Sequence, residues 1–285
     1  MVLDRETVKA INDFVRERPR NVNEIADKIG RSWRTADRYV KKISKEEGTI
    51  DLHTFREGTR GALKVVYWRN TDEIQASNYR EKLWNKIKNG SDKKDFSPFD
   101  IFEAVDKEER NAFLEQQKEE NVEANHDIIG TLQEAEREVL VFSGNLSWST
   151  LQQDGKKVID IFRELAEDDV SIKFLSRVDI TSLKNVEKMK KLNDEIKKQR
   201  TKIRHCEQPL RALIVDDKLA QLKEKKSQSD YPEKEIESDT HIFYEIYDED
   251  WVDWLRKVFW KLYRNSSPAE NRIEDLHSIE NILQL

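Results

Sequence analysis

Residues 21–40 read Asn21-Val22-Asn23-Glu24-Ile25-Ala26-Asp27-Lys28-Ile29-Gly30-Arg31-Ser32-Trp33-Arg34-Thr35-Ala36-Asp37-Arg38-Tyr39-Val40. Asn21 with Glu24 three positions on has capping-box spacing. The Asn side chain accepts a free backbone N–H of the first turn, and the Glu carboxylate reaches back to the Asn N–H. Ile25, Ala26 and Ile29 give the short helix that follows its apolar side. Gly30 supplies a tight turn, and Ser32 caps the next helix. That helix runs to about Glu46, with Ala36, Tyr39, Val40 and Ile43 inward and Gly48 as its stop.

On the N-terminal side, Val8, Ile11, Phe14 and Val15 recur at three- and four-residue spacing, so Asp4 to Glu17 reads as an amphipathic helix with Pro19 beyond it. On the C-terminal side two β-rich stretches, Thr49 to Arg56 and Ala62 to Arg69, flank Glu57-Gly58-Thr59-Arg60-Gly61, a hairpin with a flexible tip. Three helices and a hairpin predict a winged helix-turn-helix over residues 1–70.

With its apolar side spent on the core, the third helix leaves Arg31, Ser32, Arg34, Thr35, Arg38, Lys41 and Lys42 for solvent or a partner. In a helix-turn-helix the N-terminal part of this helix enters the major groove, where arginine chelates guanine O6 and N7 and threonine touches bases or phosphates. Arg34, Thr35 and Arg38 are the base-reading candidates, and Lys41 and Lys42 suit phosphate contacts. Arg60 at the hairpin tip suits a minor groove or a phosphate. Trp33 is expected to pack under the turn, the alternative being a ring stacked at the DNA surface. The quoted stretch resembles the helix-turn-helix of prokaryotic, especially archaeal, winged-helix regulators. The competing reading is a winged helix used for protein contact, its charges merely solvated.

The chain has 285 residues and a net charge of -6. Residues 1–70 carry 16 Lys+Arg against 11 Asp+Glu, leaving 35 against 46 for residues 71–285. One end therefore suits a polyanion. Charged residues make up 38% and apolar ones 36%, yet 7 Trp, 7 Tyr and 11 Phe supply core material, so folded domains are expected. No apolar run approaches a membrane span, and the first residues lack a signal peptide's apolar stretch, so a cytoplasmic protein is expected. A single cysteine, Cys206, excludes an internal disulfide framework and is expected to be a buried apolar residue. Scattered histidines give no zinc spacing, and none of the 8 glycines falls in a phosphate-cradling motif. No metal or other cofactor is implied. High Lys+Glu content fits a thermophile or an archaeon.

Residues 71–124 read as a helical acidic connector. Thr71 starts a helix to about Lys88, and Asp95 to Glu123 carries ten acidic against three basic residues. A solvated tether is expected there, with a dimerisation helix and an acidic mimic of DNA as the alternatives. Residues 125–265 alternate helix and strand: helix from Ile128, strand Val139 to Ser143, helix Val158 to Ala166, strand Val170 to Leu175, a long helix Thr181 to Gln199, and a strand at Lys202 to His205. Leu210 to Leu222 is two strands turning at Asp216-Asp217, followed by a strand at His241 to Tyr247 and a Trp-rich helix from Asp248 to Tyr263. Lys225 to Asp239 is a polar loop. Residues 266–285 form an amphipathic helix that docks on its own domain or makes a dimer. The fold class is α+β multidomain, its C-terminal part α/β.

This order of elements resembles the phospholipase D-like fold. Active members carry HxKxxxxD, in which histidine attacks phosphorus and lysine steadies the phosphate. With Asp216 as the aspartate, Pro209 stands at the histidine and Arg211 at the lysine. The domain is accordingly expected to be catalytically silent and the protein no enzyme. A winged helix followed by such a domain resembles the archaeal TrmB family of sugar-responsive transcription regulators and its chromatin-like relatives. The resemblance implies a small-molecule effector at the strand ends, near Ser143, Asn145, Ser147, Trp148 and Arg177, with Trp148 stacking on a sugar ring. The alternative is an ordinary turn with Trp148 in the core. Lysines and arginines from Lys184 to Arg204 crowd one helix and its exit, where interleaved Glu187, Asp194 and Glu195 favour a solvated surface over a second DNA contact.

The functional expectation is a sequence-specific regulator of double-stranded DNA, homodimeric and without a membrane partner. Its competitors are a low-specificity architectural DNA-binding protein, a phospholipase D-like nuclease with an unrecognised site, and a protein-interaction adaptor.

Overall fold

The structure is a computed structural model describing residues 3–46, 49–56, 62–68, 76–116, 127–153, 155–230 and 238–283. The chain divides into two compact units, residues 1–81 with 225–242 and residues 82–224 with 243–285.

In the first unit, Asp4 caps α1 (Arg5–Glu17) by accepting the Thr7 N–H at 2.7 Å. Two residues of strand β1 (Arg20–Asn21) lead into α2 (Val22–Lys28) through a complete capping box. The Glu24 N–H donates to Asn21 Oδ1 at 2.8 Å and the Asn21 N–H to Glu24 Oε2 at 2.9 Å. Gly30 takes φ +60°, the left-handed conformation that the turn into α3 (Trp33–Glu46) requires. Strands β2 (Ile50–Arg56) and β3 (Ala62–Trp68) pair antiparallel from Ile50↔Trp68 to Arg56↔Ala62, and β1 adds to the far side of β3. Ile11, Val15, Val22, Ile25, Ala36, Val40, Ile43, Ile50 and Val66 close one core between helices and sheet.

Helix α4 (Ala76–Asn89) buries Leu83 and Ile87. Beyond it lie α5 (Phe99–Phe102), strand β4 (Arg110–Gln116), α6 (Ile128–Gln133), β5 (Glu138–Ser143), the two-residue strands β6 (Gln152–Gln153) and β7 (Lys156–Lys157), and α7 (Val158–Glu167). Strand β8 (Ser171–Ser176), α8 (Leu183–Ile196), β9 (Thr201–His205), β10 (Ala212–Val215), β11 (Leu219–Lys226), β12 (Thr240–Ile246), α9 (Glu249–Asn265), β13 (Ser267–Pro268) and α10 (Ala269–Leu283) complete the chain.

Eight strands form one mixed sheet in the order β13-β9-β8-β5-β10-β11-β12-β4. Strands β5, β8 and β9 run parallel, joined by α7 and α8, while β10 is antiparallel to β5 and to β11. Residue alternation sorts the faces. Val139, Val141, Ile172, Phe174 and Ile203 pack under α6, α7, α8 and α10, and Phe142 meets α9 through Phe259, edge to face at 5.1 Å.

Two expectations change here. The acidic stretch read as a solvated tether is built into the fold where it is described: Phe96, Phe99, Ile101, Phe102 and Val105 are buried, and Arg110–Gln116 is a strand at the edge of the sheet, with Phe113 stacked on Phe243 at 5.2 Å. Close aromatic packing, not a long apolar run, holds it there. Thr71 and residues 117–124 lie outside the described residues. The open question over the last helix closes at its start, where Ala269, Ile273 and Leu276 are buried in this unit's own core.

Candidate nucleic-acid interface

Helix α3 commits Ala36, Tyr39, Val40 and Ile43 to the core, which turns Arg31, Ser32, Arg34, Arg38, Lys41 and Lys42 outward. The Ser32 hydroxyl lies 3.0 Å from Thr35 Oγ1 and accepts the Thr35 N–H at 3.4 Å, so both hydroxyls serve the helix start, and Thr35 is half-buried. Among the described residues Arg31, Arg34 and Arg38 make no ion pair, and Arg38 lies 5.5 Å over the Tyr39 ring. Asp37 is buried and receives Lys41 at 2.7 Å and Lys64 of β3 at 2.6 Å. Burial alone raises the Asp37 carboxyl, but the two ammonium groups bonded to it bring it below its ordinary value. Lys41, read as a phosphate contact, is thus already half-spent on Asp37, and the pairing raises its own pKa. Trp33 is not under the turn: it is 37% exposed, with Lys64 Nζ 4.7 Å over its ring. The Asp37–Lys41 spacing of four was the legible sign of this cluster. Lys64 was not, because its approach depends on the tertiary placement of β3. Arg60 lies outside the described residues.

The residues expected to hold a small ligand sit at the ends of β5 and β8, but they spend their polar groups internally. Ser143 is buried, and its Oγ accepts the Leu146 N–H and the Trp148 Nε1–H, both at 3.1 Å. The Trp148 ring meets Phe162 edge to face at 5.7 Å and packs, half-buried, against the core. Asn145 accepts the Ser147 N–H through its side chain and the Asn185 amide through its carbonyl. Ser147 is exposed, and Arg177 pairs with Asp179 at 2.8 Å.

Around them lies a cationic group that the sequence motif did not isolate. The Arg211 guanidinium covers Gly144 so closely that a Cβ there would stand 2.6 Å from Nη2, and it donates to the Leu210 carbonyl at 2.7 Å. Burial first, then Arg177, pushes Arg211 below its ordinary value. His205 Nδ1 accepts the Val178 N–H at 2.9 Å, and burial, followed by repulsion from Arg272, lowers its pKa. Asp216, the motif aspartate, is wholly buried at φ +51° and accepts three backbone N–H groups, from Glu136, Arg137 and Glu138, at 2.8–3.0 Å. It ties the β10–β11 turn to the start of β5. On α8, Lys190 pairs with Glu270, and beyond the end of the helix Lys198 and Arg200 pair with Asp169. No helix of the described residues is long and apolar enough to cross a membrane.

No family model matches the chain, and no curated protein matches it. Among solved structures it is similar to NucT from Helicobacter pylori, with TM-score 0.40 and 12% identity over 56% of this chain and 99% of that one. It is similar also to Nuc, a phospholipase D family member from Salmonella typhimurium, with TM-score 0.39 and 7% identity over 56% and 98%. TrmBL2, an archaeal chromatin protein whose structure shows a novel mode of DNA binding, gives TM-score 0.39 and 13% identity over 93% and 94%. One expectation is corrected by these neighbours. The chain was read as no enzyme because proline and arginine replace the histidine and lysine of the motif, whereas NucT and Nuc are phospholipase D-family nucleases and hence enzymes.

Proposed function

We propose that this protein binds double-stranded DNA in a sequence-selective way, through a winged helix-turn-helix made of α1, α2, α3 and the β2–β3 hairpin. The observation that carries the reading is the outer face of α3. Arg34 and Arg38 line it and Arg31 stands at its start, all three without an ion pair among the described residues, while Asp37, the single carboxylate between residues 31 and 45, is buried and neutralised by two lysines. A face stripped of negative charge in this way suits phosphate and guanine edges together. Arg34 and Arg38, one turn apart, take the base edges, and Arg31 and Lys42 the backbone. Two copies reading paired half-sites make the regulator a dimer in this reading.

The test is selection of bound genomic fragments at about 150 mM salt, with Arg34→Ala/Arg38→Ala alongside. An enriched motif that the double variant loses supports the reading, and a palindromic motif supports the dimer. Binding without enrichment replaces sequence selectivity by an architectural role. Absence of binding removes the DNA reading.

A further inference from the structure

Lys173 and Lys202 are register partners on the parallel strands β8 and β9, so their side chains leave the same sheet face side by side, an arrangement in which like charges repel. It is the face that α9 packs on. Lys173 reaches over Trp260 of α9, its ammonium 5.5 Å from the ring centroid. Arg204, two residues beyond Lys202, lies 5.2 Å over Tyr263 and donates from Nε to the Ser266 carbonyl at 2.9 Å. Lys261 and Arg264 follow within about one turn of Trp260, both exposed, with the Lys261 ammonium 4.4 Å from the ring centroid of Trp84 of α4. The carboxylates nearby are committed: Glu138 to Arg256, Asp253 to Lys257, and Asp169 to Lys198 and Arg200. Burial and then the charges of Lys202 and Arg200 hold the Lys173 amine below its ordinary value, against the pull of Glu138. This concentration of cations stands within residues 71–285, where acidic residues outnumber basic ones 46 to 35.

We propose that this face, centred on Lys173, Lys202, Lys261 and Arg264, is a second DNA-contacting surface that grips the phosphate backbone of a duplex. The proposal rests on the reading of the protein as a duplex binder. Backbone, not bases, is its target because the rings are already taken. Trp260 lies beneath Lys173 and edge-on to Phe259 and Tyr263, and Tyr263 stacks on Phe259 beneath Arg204. These ring contacts make the aromatic groups part of the packing under the cations rather than a stacking platform for a single strand. Clustered ammonium and guanidinium groups instead suit a row of phosphates, whose binding displaces counterions and relieves the repulsion between Lys173 and Lys202.

The test is duplex binding of the full chain by fluorescence anisotropy across a salt series. It compares wild type, Lys202→Glu/Lys261→Glu/Arg264→Glu, Arg34→Ala/Arg38→Ala, and a control reversal on the opposite face, Lys184→Glu/Lys188→Glu/Lys191→Glu. The reversed residues are exposed, so the melting temperature stays near that of wild type. The first triple variant is expected to lose about tenfold or more in affinity and to flatten the log–log salt slope by about 3, near one unit per phosphate contact. The control loses markedly less. Wild-type affinity and slope in the first triple variant, or an equal loss in the control, overturns the second surface. If wild type itself does not bind, the functional reading fails as well. If only Arg34→Ala/Arg38→Ala loses binding, the functional reading stands and the second surface falls. A loss confined to a single-stranded oligonucleotide assigns the face to single strands and overturns the proposal.

Discussion

Asp216 shows how one polar side chain can hold a fold together from within. Its carboxylate, with no exposed surface, collects three consecutive backbone N–H groups at the entry to β5, and its φ of +51° is a conformation that Asp and Asn adopt more readily than other residues. Asp216→Ala strands all three donors and is expected to cost about 3 kcal/mol or more in urea unfolding, since each buried unsatisfied group costs roughly 1–3 kcal/mol. Asp216→Asn keeps one carbonyl acceptor and the tolerance of positive φ, so it falls between the two. An Ala variant as stable as wild type would sink this account. His205 yields a pH dependence. Its folded pKa lies below the unfolded value of 6.5, so the unfolded chain takes up the proton first. The contribution of His205 is therefore present above that value and is lost as pH falls through it toward the folded pKa. His205→Asn keeps an acceptor for the Val178 N–H, and its unfolding midpoint should decline less steeply than that of wild type between about pH 6.5 and 5. Parallel declines would show that His205 is not the group responsible. Cys206, its thiol pushed up to about 11 by burial, should react with iodoacetamide at pH 8 about two orders of magnitude more slowly than an unperturbed cysteine.

At the scale of elements, α3 balances two demands on Asp37. The carboxylate joins α3 to β3 through Lys64 and stabilises the turn of α3 through Lys41, yet it sits just behind the face assigned to DNA. Asp37→Asn should lower stability by roughly 1–3 kcal/mol, because a buried charge-assisted pair loses its partner, while it raises duplex affinity at low salt by freeing two ammonium groups. Melting and anisotropy on one sample check both signs, and a fall in both would mean that Asp37 acts on binding only by shaping the helix. The helices and hairpin of the first unit were legible in the sequence because they announce themselves locally, through the Asn21–Glu24 box, the Gly30 turn and a clean apolar stripe. Strand β4 was not. Arg110–Gln116 carries charge and amide along an edge and reads as tether, and its strand character comes from Phe113 meeting Phe243, over a hundred residues away. The strand-end residues were only partly legible for a related reason. Sequence order placed Ser143 and Trp148 correctly near the ends of parallel strands, but which polar atoms remain for a ligand depends on the Trp148–Ser143 hydrogen bond, and that only packing decides.

For the whole molecule, the governing quantity is charge separation. A chain of net charge -6 is repelled by DNA on average, so affinity must come from segregated cations: the surplus within residues 1–70 and the α9 face of the sheet. Binding built from such local contacts releases counterions in proportion to the phosphates touched, with a slope of about −0.9 for each. Five to six phosphate contacts, from Arg31, Lys42 and the second surface, give a log–log slope of roughly −5, and so about a 10³-fold loss of affinity between 50 and 200 mM salt. Sequence selectivity adds a component that salt does not remove. A duplex carrying the selected motif should therefore keep its advantage over an unrelated duplex as salt rises, while both lose absolute affinity in parallel. Anisotropy titrations of both duplexes over that range decide the matter. Parallel lines separated by a constant offset mean base reading by α3 on top of backbone contact, whereas coincident lines mean that the arginines of α3 touch phosphate alone.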